Sequence, residues 1–311
     1  MPHESWPSMI NRRQFLQHAA AGVAITSLPQ PLRAAESAIS LGFSLYGMKS
    51  LPMDDALKIC AEIGYRNVEL TLTAGYPTEP SLLSAADRQS LRESLDKHDL
   101  SVSGLMDNLS LVADDAAHGK NLDRIKAAAE LAHALAPDKP PILESVLGGK
   151  SADWESLKAG MVDHAGDWAK IAAENELTVC LKPHVYSAID SPERLLWLHQ
   201  QVASPFVKLC YDFSHFEVQG MEMEPTLKPL IAETRFIHIK DTAGDAKKVQ
   251  FLLPGEGRTD YAHYSALLRR TNWSGPVVVE VSAMVFNKPG YNPVAAAKKC
   301  FAALAQKFAL P

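Results

Sequence analysis

Arg235-Phe236-Ile237-His238-Ile239-Lys240 decides how the rest of the chain is read. Alternate residues of an extended strand face opposite sides, so Ile237 and Ile239 share one face and Phe236, His238 and Lys240 the other. The same parity recurs in three further segments. Val179 and Leu181 oppose Thr178, Cys180, Lys182 and His184; Val207, Leu209 and Tyr211 oppose Cys210 and Asp212; Val277, Val279 and Val281 oppose Val278, Glu280 and Ser282. The aliphatic face suits a layer of helices. The other face then turns inward, with its polar members at the C-terminal end of each strand.

Working outward, short apolar runs alternate with amphipathic stretches along the whole chain. Strands are expected at Ile39–Leu45, Asn67–Thr71, Leu100–Leu105, Pro141–Glu144, Leu177–Leu181, Val207–Tyr211, Arg235–Ile239 and Val277–Val281. Helices are expected at Met53–Ile63, ending on a left-handed cap at Gly64, and at Ala85–Lys97, Leu122–Leu135, Trp154–Glu174, Glu193–Gln201, Thr226–Ala232, Tyr261–Arg270 and Pro293–Phe308. Eight strands in strict alternation with helices demand a parallel sheet with right-handed crossovers, and eight such units close into a single (β/α)8 barrel. An open doubly wound sheet has no support, because no glycine-rich fingerprint follows the first strand; a nucleotide cofactor is not expected.

Such barrels keep their chemistry at the C-terminal ends of the strands. Asp212, His238 and Glu280 end three consecutive strands there, and two carboxylates with an imidazole suit a divalent ion such as Mn, Mg, Zn or Co. Singly, each has a plain structural use as a helix cap, a bonded core histidine or a salt-bridge partner. Together they are costly to bury without a purpose.

Tyr211-Asp212-Phe213-Ser214-His215, Ile237-His238-Ile239-Lys240-Asp241, Pro254-Gly255-Glu256-Gly257-Arg258-Thr259-Asp260 and Val279-Glu280, with Val68-Glu69-Leu70 near the start, together resemble the xylose isomerase-like barrel superfamily, the sugar phosphate isomerase/epimerase group. The resemblance implies one divalent ion held by Asp212, His238 and Glu280 and by a glutamate ending the fifth strand. His215, Lys240, Arg258, Glu144 and Glu69 become candidate substrate contacts. Lys182 stands where the family has its fifth-strand glutamate.

That exchange alters the local charge by two units and sets a cation beside the ion, a repulsion of several kcal/mol at ~4 Å even with an effective dielectric of about 20. Glu144 or His184 could supply the missing ligand with Lys182 turned away. Lys182 could instead be neutral and act as base, or its ammonium could replace the metal, held by Asp212 and Glu280. The chemistry expected is proton abstraction next to a carbonyl of a sugar or glycoside, giving isomerisation or β-elimination, with Glu280 or Lys182 as base and His184 or His215 as acid. A non-catalytic sugar-binding barrel and a Schiff-base enzyme built on Lys182 are the competing readings.

Lys240 and Asp241 are expected to pair near the mouth. Tyr46, Asp107, Asn108 and Trp273 read as structural, and His3, His98, His118, His133 and His263 as surface residues.

Before the first strand, Asn11-Arg12-Arg13-Gln14-Phe15-Leu16, the apolar run Ala19–Ile25 and the small residues Ala34-Ala35 have the order of a twin-arginine export signal. Residues 1–34 are therefore set apart from a barrel over 35–311, with a periplasmic or otherwise exported destination, the twin-arginine machinery as a partner and no membrane span in the mature form. The net charge of −5 offers no basic face for nucleic acid. Cys60, Cys180, Cys210 and Cys300 lack paired metal-ligand spacing and read as buried small hydrophobes, a Cys180–Cys210 bridge being the minor alternative. Barrels of the resembled family pair through their outer helices, so a homo-oligomer is possible.

Overall fold

The strands form at β1 (Ile39–Ser44), β2 (Asn67–Thr71), β3 (Ser101–Asp107), β4 (Ile142–Val146), β5 (Val179–Lys182), β6 (Val207–Asp212), β7 (Thr234–Ile239) and β10 (Gly275–Val279), with β8 (Asp241–Asp245) and β9 (Lys248–Leu252) inserted before the last. In the computed structural model, which describes residues 39–308, the first seven and β10 close into a parallel barrel of order β1-β10-β7-β6-β5-β4-β3-β2. The stretch read as an export signal lies outside the described residues. No described helix is long and apolar enough to cross a membrane.

The strand parity separates two cores. Val207, Leu209, Tyr211, Ile237, Ile239, Val277 and Val279 belong to the large apolar core shared with the helices. Cys180, Cys210, Phe236 and Val278, with Ile142 against them, make a small second core inside the barrel. This inner core is the dry floor on which the polar strand ends stand. All four cysteines are buried and free, so the Cys180–Cys210 bridge does not form.

The structure departs from expectation at several places, each with a local cause. The helix expected from Leu122 begins at Asp115, its end capped by the Asp114 side chain accepting from the Ala117 N–H. Its first turns are mostly polar and carry no apolar period. The helix expected over Thr226–Ala232 spans only Met223–Leu227, because Pro229 cannot continue it. The antiparallel β8–β9 hairpin was unexpected; Gly244 at φ +77° and the Asp245 carboxylate, accepting from the Lys247 and Lys248 N–H groups, build its turn. His118 is not a surface residue: it is 8% exposed, stacked on His164 at 3.8 Å and bonded to Asp167.

Inside the barrel, Gly104 of β3 makes room for the Phe236 ring. A Cβ there would lie 2.7 Å from Phe236 Cζ. Gly104→Ala is therefore expected to lower stability by about 1–3 kcal/mol, several degrees in Tm, whereas Gly160→Ala, in the open interior of the Trp154–Glu174 helix, should raise it. Thermal denaturation of the two variants checks this, and a Gly104→Ala protein as stable as wild type would refute the packing account.

Candidate active site

Strand register assembles the site. Asp212 of β6 lies opposite His238 of β7, and β10 runs beside β7 with Val278 opposite His238 and Val279 opposite Ile239. Glu280 follows immediately, its N–H donating to Ile239 O at 3.1 Å, which sets it next to Lys240. Lys182 ends β5, Glu144 lies in β4 and Glu69 in β2. All seven side chains meet at the C-terminal end of the barrel, and all but Glu280 are almost wholly buried.

Lys182 does not turn away. Its Nζ lies 2.6 Å from Glu280 Oε2, 2.6 Å from His238 Nδ1, 3.7 Å from Asp212 Oδ2 and 3.9 Å from Glu144 Oε1. A second ammonium stands beside it: Lys240 donates to Asp212 Oδ2 at 2.5 Å and to Glu280 Oε2 at 2.7 Å. Lys240 therefore does not pair with Asp241. The Asp241 carboxylate instead accepts from the backbone N–H groups of Thr242, Gly255 and Thr259, and Gly257 crosses it where a Cβ would lie 2.3 Å from Oδ1.

The charges follow from this packing. Burial opposes the Lys182 ammonium, but Glu144, Glu280 and Asp212 outweigh it and hold the pKa well above the usual lysine value. A group so held keeps its proton, which argues against both the neutral-lysine reading and the Schiff-base one. Burial likewise pushes Glu280 up, and Lys182 and Lys240 reverse it, leaving Glu280 well below the carboxylate range; Lys240 and His215 do the same for Asp212. Glu280 is thus a poor proton acceptor.

Burial works against a charged His238, and the Glu69 carboxylate works in favour of it. Yet the 2.6 Å contact between Lys182 Nζ and His238 Nδ1 holds only one proton, so lysine and imidazole are not both cationic. Three carboxylates within 3.9 Å of Nζ keep the charge on lysine. His238 is then neutral, accepting at Nδ1 and donating from Nε2 to Glu69 Oε2 at 3.0 Å.

Glu144 is the exception among the carboxyls. Burial raises its pKa to about 7, the Lys182 ammonium offsets this only in part, and its Oε2 has no hydrogen-bond partner. The two other histidines are neutral. Burial, with His215 and Lys240 nearby, takes His184 down to about 2, and burial and Lys240 take His215 to about 4. The Tyr186 N–H donates to His184 Nδ1 at 3.1 Å, so the His184 proton sits on Nε2. His184 is a neutral hydrogen-bond donor, not an imidazolium acid.

A cavity of 240 Å³ opens above this cluster, with Glu144, Lys182, His184 and Glu280 in its lining. Its wall includes Tyr46, Asp107 and Asn108, which had read as purely structural, and also Tyr186, Phe251 and Met284. Asp107 does have a structural tie, a two-point contact with Arg124 at 2.5 and 2.8 Å. Arg258 is elsewhere: it donates to the carbonyls of Gly244 and Glu217 and lines a different surface pocket. His215 is walled off behind His184 and the edge of Phe251. The aromatic wall was missed because the hairpin carrying Phe251 was missed; alternating Val249 and Phe251 after Gly244-Asp245 was the available signal.

Asp212, His238 and Glu280 form one group whose donor atoms lie within 4.8 Å of one another, and Glu144, Cys210 and His238 a second. A parallel eight-stranded barrel with carboxylates, imidazole and ammonium gathered at its C-terminal mouth has the layout of a TIM-barrel fold with its polar groups at the strand ends. Residues 57–305 match the family model for the xylose isomerase-like TIM barrel, and the chain belongs to that family. Among its relatives, inosose dehydratase of Mesomycoplasma hyopneumoniae (strain J) is 23% identical over 276 residues, 80% of this chain and 86% of that enzyme. The inosose dehydratase of Clostridium tetani is 24% identical over 155 residues, 45% of this chain, and the match spans about half (51%) of that enzyme. Of solved structures, IolI with a bound zinc atom superposes with a TM-score of 0.72 at 19% identity, covering 87% of this chain and 100% of that one. The 3-keto-D-glucoside 4-epimerase YcjR of Escherichia coli does so at 0.68 and 15%, covering 86% and 99%.

The raised Glu144 pKa has a sign that can be measured. A carboxyl whose folded pKa exceeds its unfolded value stabilises the fold below the unfolded pKa and loses that contribution as pH rises through the folded one. Shifted from the ordinary 4.5 to about 7, Glu144 costs about 3 kcal/mol by pH 8. Glu144→Gln should therefore raise Tm relative to wild type more at pH 8 than at pH 5; an equal shift at both would show an ordinary carboxylate.

Proposed function

We propose that this protein is a metal-independent sugar lyase or isomerase that removes a proton next to a carbonyl of a keto-sugar or glycoside, with the Lys182 ammonium at the focus where the family holds its divalent ion. The observation that carries this reading is the position of Lys182 Nζ, 2.6 Å from both His238 Nδ1 and Glu280 Oε2. A divalent ion among the same donors would face two ammonium groups, each repelling it by roughly 8 kcal/mol at ~4 Å with an effective dielectric of about 20. Asp212, His238 and Glu280 as arranged fit an ammonium and not an added metal.

In this reading Glu144, with its unpaired Oε2 and a pKa near neutrality, takes the proton from the carbon beside the carbonyl. Charge develops on the carbonyl oxygen, where Lys182 stabilises it; Asp212, Glu280 and Lys240 hold Lys182 in place. His184 donates its Nε2–H to a substrate oxygen. Glu144 then returns its proton either to the former carbonyl carbon, while the proton of the adjacent hydroxyl passes to the former carbonyl oxygen, which relocates the carbonyl and completes isomerisation, or to a departing β-oxygen, completing elimination. The dehydratase and epimerase names among the relatives support this class. The twin-arginine reading of residues 1–34 adds that the folded protein is exported and meets an unphosphorylated substrate outside the cytoplasm.

Exchange of the carbon-bound proton of a keto-glucoside in D2O, followed by NMR, tests the chemistry. Glu144→Gln should slow exchange at least a hundredfold. Wild type purified without chelator should contain no stoichiometric metal, while Lys182→Glu should bind one divalent ion and gain thermal stability from it. Ligand binding without exchange would make the barrel a binding protein. One tight metal per wild-type chain, with activity lost to chelator, would overturn the lysine-centred site.

A further inference from the structure

Four large apolar side chains stand exposed among the described residues, and two of them, Tyr186 at 51% and Met284 at 42%, rim the cavity over Lys182. Single exposed apolar residues are normal on any surface, but a pair at the mouth of a polar site is not random cover. Tyr186 comes from the loop after β5 and Met284 from the short turn Ala283–Phe286 after β10.

The wall between them is already built. Tyr46 is held by a 5.6 Å stack on Tyr76 and an edge contact with Phe286 at 4.8 Å. Phe251 is packed against His215 at 5.0 Å and lies under the Lys240 ammonium at 5.1 Å. Rigid aromatic surface binds an apolar partner with little loss of side-chain freedom.

The charges at the cavity exclude an anionic substituent. Asp107, Glu144 and Glu280 line it, and its one basic lining residue, Lys182, is already committed to carboxylates. A phosphate here would meet three acidic side chains against one ammonium. The volume, 240 Å³, falls below the ~300–1,000 Å³ of sites that enclose a drug-sized molecule. There is room for a sugar ring, and anything attached to it leaves across the rim.

We propose that the substrate is an uncharged glycoside whose apolar, aryl-class aglycone lies against Tyr186 and Met284 while its sugar ring points down to Lys182. This rests on the reading of the cavity as a sugar site, but it concerns binding and does not depend on the reaction.

Calorimetric titration of the full chain with phenyl and methyl β-glucoside tests it. The phenyl compound should bind about tenfold tighter, equivalent to 1.4 kcal/mol. The double variant Tyr186→Ala/Met284→Ala, with folding checked by its Tm, should bring the ratio of the two affinities to within about twofold of one. Equal affinities in wild type, no binding of the phenyl compound, or an unchanged ratio in the double variant would each overturn the proposal. So would a double variant that sediments as a smaller species while keeping the phenyl preference, since the rim would then be an interface with a second copy. Absence of the phenyl preference in wild type with proton exchange intact would remove this binding mode alone; a wild type that keeps the preference without exchanging the proton would remove the chemistry and leave it standing.

Discussion

The ammonium of Lys182, enclosed by Glu280, Asp212, Glu144 and His238, is the constraint on which the mouth of this barrel depends. Buried charges are tolerated only when paired and hydrogen-bonded. Here each partner meets that condition through the others: lysine keeps its proton because carboxylates surround it, and Asp212 and Glu280 stay ionised because Lys182 and Lys240 face them. Removing Lys182, Asp212 or Glu280 leaves an uncompensated charge in a place water barely reaches. The cluster therefore acts as a unit, and the effects of substitutions within it will not add.

Glu144 owes its distinct character to the same arrangement. It lies 3.9 Å from Lys182, far enough that burial outweighs the attraction, while Glu280 at 2.6 Å is dominated by it. Glu280 also meets the Lys240 ammonium at 2.7 Å, and two close cations against one more distant divide the two carboxyls into one that stays ionised and one that exchanges a proton near neutrality. Pairs of groups with separated proton affinities are how such pockets assign the parts of acid and base.

Much of the fold was legible because burial on both faces of a parallel strand leaves a strict parity, and Ile237/Ile239 against Phe236/His238 carries it without interruption. Elements without that pattern were lost: the polar first turns from Asp115, the helix cut short by Pro229, and the hairpin from Asp241 to Leu252. At the site, the convergence of Lys182, Asp212, His238 and Glu280 follows from which strand ends they occupy. Their charges do not, since protonation depends on distances of a few ångströms across the barrel. Arg258 shows the opposite limit, because a loop arginine has no strand to aim it and its guanidinium goes to nearby backbone carbonyls.

The Asp241 carboxylate fastens Thr242, Gly255 and Thr259 to a single point, with Gly257 pressed against it. Both roots of the excursion that brings Phe251 to the mouth are thereby riveted to one side chain. The aromatic wall is consequently a fixed architectural member that stands ready before any guest arrives. Grafting or redesigning this excursion to admit other guests would have to carry Asp241 and its glycine-rich collar along as one cassette.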